Sequence, residues 1–510
     1  MVDDRNPGEG RPAEPGFDPK ILDRAVIALP LLQRMAEAEK SDDPTQPIHV
    51  ILEANLLYPE GREGALRVIE TLVREVSGDR PDALEEFKNK YSRQYVFAAL
   101  TPEEIRALAR KMLADPKAKA KVANDADPPS PGRAIFRIWL DHEIRALTNK
   151  SISTVKADAA ANAFGAFGND IVWAVMDSGI DGRHEHFVTH DTLDLKPPLK
   201  HRDFTGSGGD ALRDAFGHGT HVAGIIAGEY RRKAPGDIIA RVKRFTEDGN
   251  QEEVLDDTAE AMRGMAPRAK LLSIKVLDDR GGGRASNLIA ALQYIQELNA
   301  NGRNILVHGV NLSVGYGFEP NWFACGQSPL CVEVNRLVRS GVVVVVAAGN
   351  TGYGYNQIVG SGPKSAGLDI TINDPGNAEL AITVGSTHRD MPHVYGVSFF
   401  SSKGPTGDGR LKPDLVAPGE KIRSCQSLDK PPPANASGQA KAFYVEDSGT
   451  SMAAPHVSGV IASFLSIRRE FIGEPERVKG IFLDSATDLK RAVYFQGRGL
   501  VDLMRAIQSV

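Results

Sequence analysis

From about residue 152 to the C-terminus, apolar runs rich in β-branched residues alternate with helical patterns. This alternation limits the fold more than any other feature. The runs are Ile171–Met176, Ala269–Leu277, Ile305–Leu312, Val342–Ala347 and Leu380–Val384; helical spacing recurs between them, as in Ser286–Leu298 and Val332–Val338. A strand buried on both faces reads as a continuous apolar run, and intervening helices must cover both faces of the sheet it joins. The fold class expected is therefore α/β, a doubly wound parallel sheet flanked by helices. In such sheets the active site forms beyond the carboxyl ends of strands. Asp177 lies just past one run and Asn350 just past another.

The N-terminal third follows a different pattern. Residues 1–20 are rich in Pro, Gly and charge and read as a disordered arm, and residues 21–40 carry a short helical pattern; together 1–46 form a lead-in. Residues 47–147 form a separate unit: strand Ile48–Leu52, an amphipathic helix Arg62–Val76, strand Tyr95–Leu100, a second helix, a polar loop Asp115–Arg133 and strand Ile135–Leu140. The second helix opens on Thr101-Pro102-Glu103-Glu104, which combines an N-cap, a first-turn proline and a capping-box glutamate. Strand, helix, strand, helix, strand predicts a small α+β, ferredoxin-like domain. The remainder, 152–510, is the alternating domain.

Composition excludes several function classes. A chain of 510 residues with 41% hydrophobic and 25% charged residues is that of an ordinary globular protein of more than one domain. A net charge of −5 gives no reason to expect nucleic acid as a partner. The opening MVDDRNPGEGRPAEPGF has no apolar core of a secretory signal, and no stretch reads as long and apolar enough to span a membrane. Three cysteines, Cys325, Cys331 and Cys425, do not make a disulfide framework. A cytoplasmic protein with reduced thiols is expected.

Three glycine-marked motifs carry the chemistry. Ser451 lies in Gly449-Thr450-Ser451-Met452-Ala453-Ala454-Pro455-His456, where a helix is expected to begin. A serine hydroxyl is a poor nucleophile until a base takes its proton. Gly217-His218-Gly219-Thr220-His221 offers two histidines, and Asp177-Ser178-Gly179-Ile180-Asp181 offers an aspartate to orient one of them, with Asp181 and Asp214 as competitors. The chain order Asp, His, Ser is one known arrangement of a catalytic triad.

With these motifs the chain resembles the subtilisin-like serine proteases, the subtilases, over residues 152–510. The resemblance implies that Ser451 is the nucleophile, His218 rather than His221 the general base, and Asp177 its orienting carboxylate. It assigns Asn350, in Ala347-Ala348-Gly349-Asn350, to the oxyanion hole with the Ser451 backbone N–H. Gly281-Gly282-Gly283-Arg284 resembles one substrate-flanking strand of the family and Ser313-Val314-Gly315-Tyr316-Gly317 the other. A polypeptide substrate would pair between them as an extended strand, with Arg284 favouring acidic side chains. Phe97-Ala98-Ala99-Leu100-Thr101-Pro102-Glu103-Glu104 is similar to the propeptides that precede subtilases, which implies an intramolecular inhibitor whose C-terminal tail reaches the cleft.

The function expected is serine endopeptidase. The alternative is a latent regulatory protease whose N-terminal domain stays attached until a partner activates it. No cofactor is required, although the family often binds structural calcium. The charged stretch Glu229–Arg263 would hold calcium or form a solvated surface, and metal ligands stay unassigned. Arg183-His184-Glu185-His186 with His190 invites a metal reading but lacks the HExxH spacing.

Overall fold

Strand pairing first separates the chain into two parts. The computed structural model describes residues 26–40, 43, 45–78, 80–89, 92, 94–114, 133–141, 150–206, 208–233, 238–245, 252–258, 260–318, 324–358, 362–430 and 442–510. Contacts divide it into Met1–Arg145 and Ala146–Val510. The expected arm and nearly all of the loop Asp115–Arg133 lie outside the described residues.

In the first unit, β1 (Ile48–Ala54) pairs antiparallel with both β2 (Tyr95–Leu100) and β3 (Ile135–Leu140), in the order β2-β1-β3. Helix α1 (Leu29–Ala38) carries Pro30 in its first turn, where a proline is tolerated, and the start of the predicted 21–40 pattern lies outside the described residues. Helices α2 (Gly61–Ser77) and α3 (Pro102–Ala114) bury Ile69 and Val73, and Ile105, Leu108, Ala109 and Met112. The capping box forms in both directions: Thr101 N–H donates to Glu104 Oε2 at 2.8 Å and Glu104 N–H to Thr101 Oγ1 at 3.2 Å. A cap of this kind contributes about 1 kcal/mol.

The second unit is built on a seven-stranded sheet, parallel throughout. Its strands are β4 (Val172–Asp177), β5 (Arg202–Asp203), β6 (Lys270–Lys275), β7 (Gly309–Leu312), β8 (Val343–Ala347), β9 (Ile382–Thr387) and β10 (Leu415–Pro418), in the order β10-β9-β8-β7-β4-β6-β5. Alternate residues face opposite ways along a strand. Trp173, Val175, Leu271, Val343, Val345 and Val384 join one core, with α4 (His218–Ile226) and a long helix, α7 (Thr450–Ile467). Ala174, Met176, Leu272, Ile274, Val344 and Val346 join the other, with α5 (Ala285–Leu298) and α6 (Pro329–Arg339). Both faces are covered, as the apolar runs required.

Three details differ from the sequence reading. The run Ile305–Leu312 enters the sheet only at Gly309, because the Asn299 side chain takes the main-chain groups of Leu306 and Val307 first. Within the charged stretch Glu229–Arg263, residues 239–245 pair antiparallel with 252–258, and residues 238–241 pair in parallel with 442–445. Among the described residues one helix, Thr450–Ile467, is long and apolar enough to cross a membrane by length and composition. This corrects the expectation that no segment is, but 83% of it is buried within the protein and it serves as a core helix.

Candidate active site

The chain leaves β4 in one direction toward β6 and returns to place β7 on its other side, so the strand order reverses at β4. A crevice opens at such a reversal, beyond the carboxyl ends of the strands. Asp177 ends β4, Ser313 follows β7, and Asn350 follows β8 by three residues.

Asp177 is fully buried, and its Oδ1 accepts the Ser178 N–H at 2.8 Å and a bond from His218 Nδ1 at 2.8 Å. His218 is the first residue of α4. That helix start is pressed against the aspartate turn: a Cβ on Gly219 would lie 2.1 Å from the Gly179 carbonyl oxygen, so only glycine fits. The Gly219 N–H also donates to Ser178 Oγ at 3.0 Å. Burial alone would lower the His218 pKa. The Asp177 charge and hydrogen bond outweigh burial and, with Asp447 and Asp214, raise it to about 9.

His221 is buried one turn further on, with Nε2 against the carbonyls of Ile422 and Val445, and burial lowers its pKa. Asp181 is held by a bidentate Arg183 and Asp214 by Thr220 and Gly217, so neither competitor faces His218 as a hydrogen-bond partner. His184 and His186 bond to the Phe443 carbonyl, the Tyr444 hydroxyl and the Ala227 carbonyl, and burial lowers the His186 pKa to about 3. His190 bonds Glu229.

Ser451 lies in the first turn of α7. Its hydroxyl donates to the Ser313 carbonyl at 3.0 Å, and the Ser313 hydroxyl donates to the Ser451 carbonyl at 2.9 Å. Asn311 donates to that same Ser313 hydroxyl and accepts from Ser458 of α7. The Asn350 Oδ1 accepts both the N–H and the hydroxyl of Thr450, at 2.9 and 3.0 Å. A backbone N–H must meet an oxygen, so this fixes the amide with Nδ2 free to donate.

His218, Ser451 and Asn350 share the walls of one cleft of about 470 Å³ with Gly281, Ser313, Val314 and Gly315. Gly282 and Gly283 complete a tight turn beside it, where Asp278 Oδ1 accepts the Gly282 N–H and Gly283 bridges Leu277. Arg284 sits at the N-cap position of α5 without a capping hydrogen bond and is not on the cleft wall. The sequence reading missed Phe216, Leu277, Thr351 and Asn373, which also line the cleft. Phe216 precedes the histidine motif and could have been found there. Asn373 arrives from a distant loop with no local signal.

Among the described residues no group of three His, Cys, Asp or Glu could hold a metal ion. Glu229 is occupied by His190 and Arg231, which hold its carboxyl down at about 2 against the opposing effect of burial.

Residues 168–499 match the family described as the subtilase family, and the chain belongs to that family of serine endopeptidases. It is 35% identical over 321 residues to pyrolysin of Pyrococcus furiosus, covering 58% of this chain and 21% of pyrolysin. It is 28% identical over 368 residues to serine protease AprX of Bacillus subtilis, covering 69% of this chain and 70% of AprX. A solved cold-adapted subtilisin-like serine proteinase aligns at 24% identity and a TM-score of 0.42, over 66% of this chain and 88% of that one.

Proposed function

We propose that this chain hydrolyses peptide bonds of polypeptides bound as an extended strand, with Ser451 as nucleophile. The observation that carries the proposal is the 2.8 Å bond between Asp177 and His218 at a cleft that Ser451 and Asn350 also line. With Nδ1–H donated to Asp177, His218 presents Nε2 as the base. The Ser451 hydroxyl turns from the Ser313 carbonyl to His218, gives up its proton and attacks the substrate carbonyl carbon. The oxyanion accepts hydrogen bonds from Asn350 Nδ2 and the Ser451 N–H, at a helix N-terminus whose dipole favours negative charge. His218 then protonates the leaving amine as the C–N bond breaks. Water, deprotonated by His218, attacks the acyl-enzyme and releases the new carboxyl product and Ser451.

The main chain of Gly281–Gly283 and Ser313–Gly315 would pair with the substrate, leaving selectivity to the cleft walls. Ser451→Ala tests the mechanism: hydrolysis of a peptide substrate is expected to vanish, and activity near wild type would remove it.

The N-terminal unit would act as intramolecular chaperone and inhibitor. Its position before the peptidase and the helix that Thr101 caps support this. Intact mass of the wild type beside Ser451→Ala tests it. A cut between the units in the wild type alone is expected; two uncut chains would favour a lasting regulatory domain. Three free, buried cysteines support a reducing, cytoplasmic location.

A further inference from the structure

Lys275 ends β6 directly beside Asp177 in the sheet register and is only 3% exposed. Its ammonium has three donors and meets three acceptors: the Ser178 carbonyl at 2.9 Å, the Arg213 carbonyl at 3.4 Å and Asp279 Oδ1 at 2.8 Å. These belong to three different parts of the site. Ser178 follows Asp177 and donates to its Oδ1 through both N–H and hydroxyl. Arg213 leads into the segment that ends at His218. Asp279 belongs to the turn that presents Gly281 to the cleft.

We infer that Lys275 is a positioning residue for the hydrolysis proposed above, tying the aspartate turn, the approach to the histidine helix and the substrate-flanking turn through one buried ammonium. The inference rests on that mechanism. No neutral side chain of this length offers three donors, and removing the cation leaves the Ser178 and Arg213 carbonyls short of a partner in the interior. The Arg213 carbonyl already sits so close to the turn that a Cβ on Gly179 would lie 2.4 Å from it. Main-chain bonds from Ile180 N–H to the Ala211 carbonyl and from Gly182 N–H to the Leu212 carbonyl also join these two segments, and Lys275 adds the tie that reaches Ser178 itself; without it Ser178 loosens its hold on Asp177.

The test is Lys275→Met and Lys275→Gln in the full chain. Active sites are counted with a fluorophosphonate, and kcat per labelled site is measured against pH beside the unfolding temperature. A fall of roughly tenfold in kcat per labelled site is expected, in line with the cost of small misplacements of catalytic groups. The acid limb of the pH profile is expected to move to lower pH, because His218 owes its raised pKa to Asp177. Asp447, Asp214 and His221 also act on His218, and none of them is replaced in these variants. Lys275→Gln keeps two donors without the charge and carries the test alone if the Met variant does not fold. Variants equal to wild type per labelled site at every pH, with only the unfolding temperature lowered, would show a structural lysine and overturn the inference. A wild type that leaves Ser451 unlabelled would instead remove the mechanism beneath it.

Discussion

Thr450 decides which end of the Asn350 amide faces the cleft. Its N–H and hydroxyl both occupy Oδ1, so the donor end is set before substrate arrives. Asn350→Ala is therefore expected to lower kcat by about 10²–10³, the usual cost of losing one oxyanion donor in this family, while KM changes little. Steady-state kinetics check this; a rise in KM alone would move Asn350 to substrate binding. His218 gives the pH dependence. Its folded pKa is raised to about 9, so the protonated imidazole paired with Asp177 contributes stability that is full below its ordinary value near 6.5 and is lost as pH rises through 9. Catalysis runs the other way, since the base must be neutral. The kcat/KM of the free enzyme is expected to climb with pH toward a limb near 9, and a limb at or below 6.5 would contradict the pairing.

Helix α4 shows what elements contribute beyond motifs. Its glycines were legible in the sequence, but their reason was not: Gly219 is glycine because the Gly179 carbonyl lies where a Cβ would go. Gly219→Ala is expected to push His218 away from Asp177 and to destabilise the fold by about 1–3 kcal/mol, the range for overpacking. Urea unfolding together with kcat reads both effects, and a fully active, equally stable variant would refute this packing. Strands were legible wherever apolar runs met neighbouring strands. The start of β7 was not, because Asn299 competes for its main chain from outside the run. In the first unit the capping box was legible to the residue, and Thr101→Ala is expected to cost that unit about 1 kcal/mol in chemical denaturation. No change would mean that water replaces the cap.

At the scale of the molecule, the sequence carried the parallel sheet and the motifs that bring Asp177, His218, Ser451 and Asn350 to one place, because each has a local signature. It did not carry what joins them. Lys275 meets residues 97 and 62 positions away, and the link from Ser451 to Ser313 spans 138. Such contacts exist only once the sheet has formed. The most direct test of the account is intact mass after exposure to a fluorophosphonate, comparing wild type, Ser451→Ala and His218→Ala. One adduct on Ser451 is predicted for the wild type, none for Ser451→Ala, and far slower labelling for His218→Ala. A wild type without an adduct, or Ser451→Ala labelled as fast as wild type, would contradict the assignment of Ser451 as the activated nucleophile.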